Sequence, residues 1–290
     1  MPTKKLFLFT LIALLAFAAN SILCRLALKV ERVDPLDFSI IRILSAAIIL
    51  WLLLVVKNAH SRKIFTQYGN IKGAASLLIY VLGFSYAYVG LSTATGALIL
   101  FAAVQFTMLG AAILAGKRLS LLESIGIVMS LLGLAYFVYP ELEKPNGLNF
   151  IFMIVAGIAW GIYSLVGSRS VSPLLDTSSN FIRLVPLCVL ALFTVYLFSD
   201  TNITSLGLVY SVASGALASG LGYTLWYMVL PNLDKSVAAV SQLSVPIWAA
   251  LGGIIFINEG LTWHLMISSC FILGGILLVI LSQFKPKKTM

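Results

Sequence analysis

The chain has 290 residues, of which 60% are hydrophobic and 10% charged, and its mean hydropathy is +1.04. A water-soluble surface keeps about a quarter of its residues charged, so a soluble globular protein is excluded and lipid must be the main solvent. The formal charge of +9 comes from basic residues scattered between apolar segments; they form no dense stripe of the kind nucleic acid requires, and no nucleic-acid partner is expected.

The apolar runs match the roughly 20 residues that cross a bilayer core. Their continuity argues for helices and against the alternating ten-residue strands of a membrane barrel. In chain order the expected spans are 6–28, 35–56, 73–91, 94–115 and 119–139, then 148–168, 178–199, 206–230, 236–257 and 261–283. The fold class is therefore an all-α integral membrane protein of ten transmembrane helices. Lys4, Lys5 and the run ending in Ala16-Phe17-Ala18 imitate a secretory signal, but the apolar stretch continues to about Leu28 and reads as an uncleaved first helix. Only Gly90 to Gly96, with its Ser and Thr residues, separates the third span from the fourth. Pro140 to Gly147 encloses a charge cluster between two prolines and reads as a linker, giving units 1–139 and 148–290 around residues 140–147.

Cytoplasmic loops carry the excess of Lys and Arg. With the N-terminus inside, Lys4, Lys5, Lys57, Arg62, Lys63, Lys72, Lys117, Arg118, Arg169, Lys235, Lys285, Lys287 and Lys288 face the cytoplasm, against Lys29, Arg32 and Lys144 outside. The expected location is a cell inner membrane, multi-pass, with both termini cytoplasmic.

The two halves resemble each other. Arg42 in Ile40-Ile41-Arg42-Ile43-Leu44 matches Arg183 in Phe181-Ile182-Arg183-Leu184-Val185, and Phe17 to Ser21 matches Trp160 to Ser164. A constant offset of 142 superposes Gly110 on Gly252, Leu119 on Leu261 and Gly133 on Gly275. Because five is odd, the second copy enters the membrane in the opposite sense, as inverted repeats do.

On these residues, with Ala97–Gly133, Ala239–Gly275, Pro246 and the Asn258-Glu259-Gly260-Leu261 turn, the chain resembles the EamA-type branch of the drug/metabolite transporter superfamily. The resemblance implies a substrate path between two five-helix repeats, opened alternately to each side, and export of amino acids or related metabolites. One departure is visible: Gly116-Lys117-Arg118-Leu119 stands where the second half carries Glu259.

Polar side chains near mid-membrane are expensive and mark function by default. The substrate-binding candidates are Asn20, Tyr86, Gln105, Trp160, Tyr163, Tyr223, Gln242 and Trp248. They would offer hydrogen bonds and π-faces to a small molecule from the third, fourth, eighth and ninth helices, with help from the first and sixth. The serines at similar depth, such as Ser21, Ser85 and Ser164, read as helix glue. Arg42 and Arg183 stand inside their helices and read as gating or structural clamps, with anion attraction as the other reading. Pro246 removes a backbone bond and suggests a kink or hinge. The small residues Ser211, Gly215 and Ser219, at four-residue spacing, read as a packing face.

No acidic residue lies near the middle of a span, and neither a zinc motif nor a nucleophile elbow occurs. An enzyme is not expected, and neither is a cofactor or a metal site. The partners expected are a small-molecule substrate and the lipid bilayer, with a homodimer among the assemblies left open. Multidrug efflux and a channel-like or lipid-translocating protein are the alternatives to metabolite export.

Overall fold

The computed structural model describes residues 2–57, 67–116, 119–138, 147–198, 203–233, 241–242 and 244–283. Helix α1 (Thr3–Val30) widens into a π-helical turn over Leu26–Val30. It is followed by α2 (Pro35–Val56), α3 (Ile71–Gly90), α4 (Thr93–Leu114) and α5 (Leu121–Val138). Then come α6 (Gly147–Gly167), α7 (Pro173–Phe198), α8 (Ser205–Asn232), α9 (Val245–Ile257) and α10 (Trp263–Gln283). No strand occurs among the described residues. Among the described residues seven helices, α1 to α4 and α6 to α8, are long and apolar enough to cross a membrane, whereas α5, α9 and α10 contain shorter apolar stretches. The linker 140–147 falls almost wholly outside the described residues, as do the Arg62–Lys63 loop and Asp234.

Helix starts follow local chemistry. The Asp34 carboxylate accepts from Leu36 N at 2.7 Å with Pro35 in the first turn, where its missing N–H costs no bond. Asn70 accepts from Gly73 N at 2.7 Å at the head of α3. Ser120 and Glu123 cap α5 reciprocally, Ser120 N donating to Glu123 and Glu123 N to Ser120 Oγ. The acidic residues near span ends are thus partly accounted for as caps.

The helices bury a core of small and aromatic residues and turn Phe7, Ile48, Trp51, Phe193, Ile255 and Phe256 outward. Such a surface is what hydrocarbon covers. Helix α5 packs along α10, α2 along α7 and α8, α3 and α4 against α6, and α1 against α8 and α9, while α9 also meets α4. Glycines permit the closest crossings: a Cβ on Gly126 of α5 would stand 2.4 Å from the Gly275 carbonyl oxygen of α10. Close backbone approach through small residues is how helices associate where lipid removes the hydrophobic drive.

Pro246 sits in the first turn of α9, which begins at Val245, and residues 241–242 before it are also helical. Pro186 lies inside α7.

Candidate functional site

At the centre of the bundle lies Arg42 of α2, with no exposure to solvent. Its Nε donates to Ser219 Oγ at 2.9 Å, and its Nη2 donates to Tyr223 Oη at 2.6 Å and Tyr80 Oη at 3.1 Å. The guanidinium carbon stands 5.2 Å from the Tyr80 ring centre and 4.9 Å from that of Phe84. Asn20 of α1 donates to the same two tyrosine hydroxyls at 3.2 and 3.3 Å, and its Oδ1 accepts from Ser214 Oγ at 2.6 Å. Tyr223 in turn donates to Tyr80 at 3.0 Å.

Helix α8 supplies three of these groups because of a local irregularity. Over Ser214–Leu221 it is π-helical, and the wider turn brings residues five apart closer to one face than the α-helical period would. Ser214 and Ser219 therefore both reach the cluster. Gly215 lets the backbone come close, since a Cβ there would stand 2.2 Å from the Arg42 carbonyl oxygen.

Around the polar groups stands an aromatic shell. The Trp160 ring lies 4.5 Å from Tyr223, 4.9 Å from Tyr80, 5.3 Å from Phe17 and 5.5 Å from Tyr163, measured between centres. Tyr163 continues the chain to Tyr227 at 4.9 Å. Both Arg42 Nη1 and Trp160 Nε1 are buried without a hydrogen-bond partner.

Hydrogen bonds close the bundle above and below this cluster. At one end Arg25 Nε pairs with Glu259 Oε1 at 3.0 Å, and Arg25 Nη1 donates to the Tyr88 and Val89 carbonyls at 2.8 and 3.2 Å. The other Glu259 oxygen accepts from Thr93 N at 2.7 Å, at the start of α4, where the helix dipole favours an anion. Asn258, in the left-handed region at φ 55°, ends α9 and turns Glu259 so that its N–H bonds Gly253 O at 3.1 Å. At the opposite end the segment before α3 clasps the start of α7. Gly69 N donates to Asp176 Oδ1 at 2.8 Å, Asn70 N to Asn180 Oδ1 at 3.1 Å, and Ser179 Oγ to Tyr68 O at 2.7 Å. Gly69, at φ +59°, has no room for a side chain: a Cβ would stand 2.7 Å from Asn180 Oδ1.

Of the candidates read from the sequence, Asn20, Trp160, Tyr163 and Tyr223 come together here. Gln105 on α4 and Gln242, just before α9, are both buried. Tyr86 and Trp248 are exposed at 38% and 40%, and the Tyr86 ring meets Phe152 instead of the cluster. Arg42 and Arg183, matched in sequence, differ in surroundings: Arg183 is only partly buried and donates to Ser179 Oγ and Tyr68 O at the end of the bundle. Helix α2 thus enters the centre, although it was not among the six helices expected to line the path. The reading missed Tyr80, whose signal was available: Tyr80, Phe84 and Tyr88 recur at four-residue spacing on one face of α3, and Tyr86 does not share it.

Comparisons with known proteins agree over the whole chain. The model of the EamA-like transporter family matches twice, at residues 4–139 and 148–281. An uncharacterized protein of Pseudomonas aeruginosa, PA1977, is 40% identical over 280 residues, covering 97% of this chain and 96% of its own. The uncharacterized transporter YoaV of Bacillus subtilis is 22% identical, over 85% of this chain and 87% of its own. An uncharacterized transporter of Archaeoglobus fulgidus is 26% identical, over 72% of this chain and 75% of its own. A solved crystal structure at 16% identity superposes with a TM-score of 0.70 over 98% of this chain and 99% of that one, a likeness of fold alone. Apolar helices of spanning length, lipid-suited faces and a twice-matching family model make this chain a multi-pass membrane protein that belongs to the EamA-like transporter family.

Proposed function

We propose that the chain is a secondary transporter of a cell inner membrane that exports small metabolites such as amino acids by alternating access through the centre of the bundle. The observation that carries this reading is the central cluster itself. Asn20, Arg42 and Tyr80 come from the first half, and Trp160, Ser219 and Tyr223 from the second, meeting between two hydrogen-bonded closures. A buried polar site with closures on both sides is what alternating access requires.

The packing supports ten spans as two inverted repeats of five. Exchanging each helix for the one five later carries α3 on α6 into α8 on α1, and α4 on α6 into α9 on α1. It returns α5 on α10, α2 on α7 and α4 on α9 to themselves. In the orientation that the basic residues favour, both termini are cytoplasmic, the Arg25–Glu259 closure faces outward and the Asp176 closure faces inward.

Purified protein in proteoliposomes should show saturable counterflow of at least one member of a panel of amino acids, nucleosides, polyamines and cationic dyes. Counterflow confined to cationic dyes would replace metabolite export by multidrug efflux. Flux without saturation or counterflow would mean a channel.

A further inference from the structure

We infer that Arg42 is the substrate's anchor, and that the group it takes is a carboxylate. Resting on the transporter reading, this names the substrate class of the same site. The guanidinium keeps its charge at any accessible pH and carries five N–H donors. In this cluster it meets only neutral oxygens, those of Ser219, Tyr80 and Tyr223. A buried cation without a counter-ion is costly in an apolar core, and the one ion pair among the described residues whose partners are defined, Arg25 with Glu259, lies at the end of the bundle.

The donors also outnumber the acceptors. Tyr80 Oη accepts from Arg42, Asn20 and Tyr223 together, Arg42 Nη1 has no acceptor, and neither has Trp160 Nε1. An occupant that supplies acceptors and negative charge would answer both imbalances. A carboxylate does so in the planar geometry that a guanidinium fork matches. Phe17, Tyr80, Trp160 and Tyr223 surround the site with ring faces and edges, which suits an apolar or aromatic body attached to that carboxylate. Nη1 is closed off from solvent here, so the ligand reaches it when one closure opens.

The test compares four compounds of one shape on the full-length protein: 3-phenylpropionate and phenylalanine, which carry a carboxylate, and 3-phenylpropionamide and phenethylamine, which do not. Ligand-induced thermal stabilisation in detergent reads binding independently of transport, and counterflow reads transport. The expected result is that at least one carboxylate binds tenfold or more tightly than both other compounds, that Arg42→Gln erases the preference, and that Arg42→Lys keeps part of it. No preference for carboxylates in the wild type, or a preference that folded Arg42→Gln retains, overturns the assignment. Carboxylate-selective binding without counterflow would sink the transporter reading alone, whereas counterflow of the amine without that preference would sink only this one.

Discussion

Arg25→Met is expected to destabilise the protein by about 3–5 kcal/mol, the usual cost of removing one partner from a buried ion pair. Both side chains are nearly enclosed, at 9% and 15% exposure, so solvent does little to screen the charge left behind. Arg25 also holds the last carbonyls of α3, Tyr88 and Val89, where a cation complements the helix dipole. Its loss therefore loosens α3 from α1 and strands the Glu259 carboxylate with Thr93 N as its remaining partner. Glu259→Gln should cost less, because an amide oxygen still accepts from Thr93 N. The double variant should recover part of the Arg25→Met loss, since no charge then remains unpaired. Melting curves in detergent check the order, and an Arg25→Met protein as stable as wild type would show that the pair does not hold this end.

The second large effect is expected at Tyr223. Its hydroxyl takes the shortest bond from Arg42, at 2.6 Å, accepts from Asn20 and donates to Tyr80. Tyr223→Phe removes all of these and leaves part of a buried guanidinium unsatisfied, at a cost of about 1.5–3 kcal/mol for a hydrogen bond to a charged group. Transport should fall at least tenfold, because Arg42 loses the contact that orients its fork. Tyr80→Phe should be milder, since Arg42 Nη2 keeps the shorter bond to Tyr223. Initial counterflow rates and melting temperatures of the two variants compare them directly; equal losses, or a larger one at Tyr80, would contradict the hierarchy.

The helices were legible because lipid imposes a length of about 20 apolar residues, and the described helices from Thr3 to Phe198 follow the apolar runs closely. Asn20, Trp160, Tyr163 and Tyr223 were legible for a related reason: polar and amphipathic groups deep in apolar runs need partners. Depth along a helix, however, does not say which way a side chain points. Tyr86 and Trp248 share that depth and face outward, while Arg42 and Arg183, matched in sequence, end in different surroundings. Ser219 read as a packing residue in a four-residue series. Its hydroxyl reaches Arg42 where α8 departs from the α-helical period, and the hydropathy pattern carries no mark of that departure.

The claim that the central cluster is a site reached alternately from both sides of the membrane is tested most directly at Ser214, which donates to Asn20 inside it. In a chain with Cys24, Cys188 and Cys270 replaced, Ser214→Cys can be exposed to a membrane-impermeant thiol reagent on one side of sealed vesicles at a time. The account predicts labelling from either side, slowed from both by the transported substrate. A folded protein whose position 214 reacts from neither side, or from one side only whatever the substrate, would contradict it.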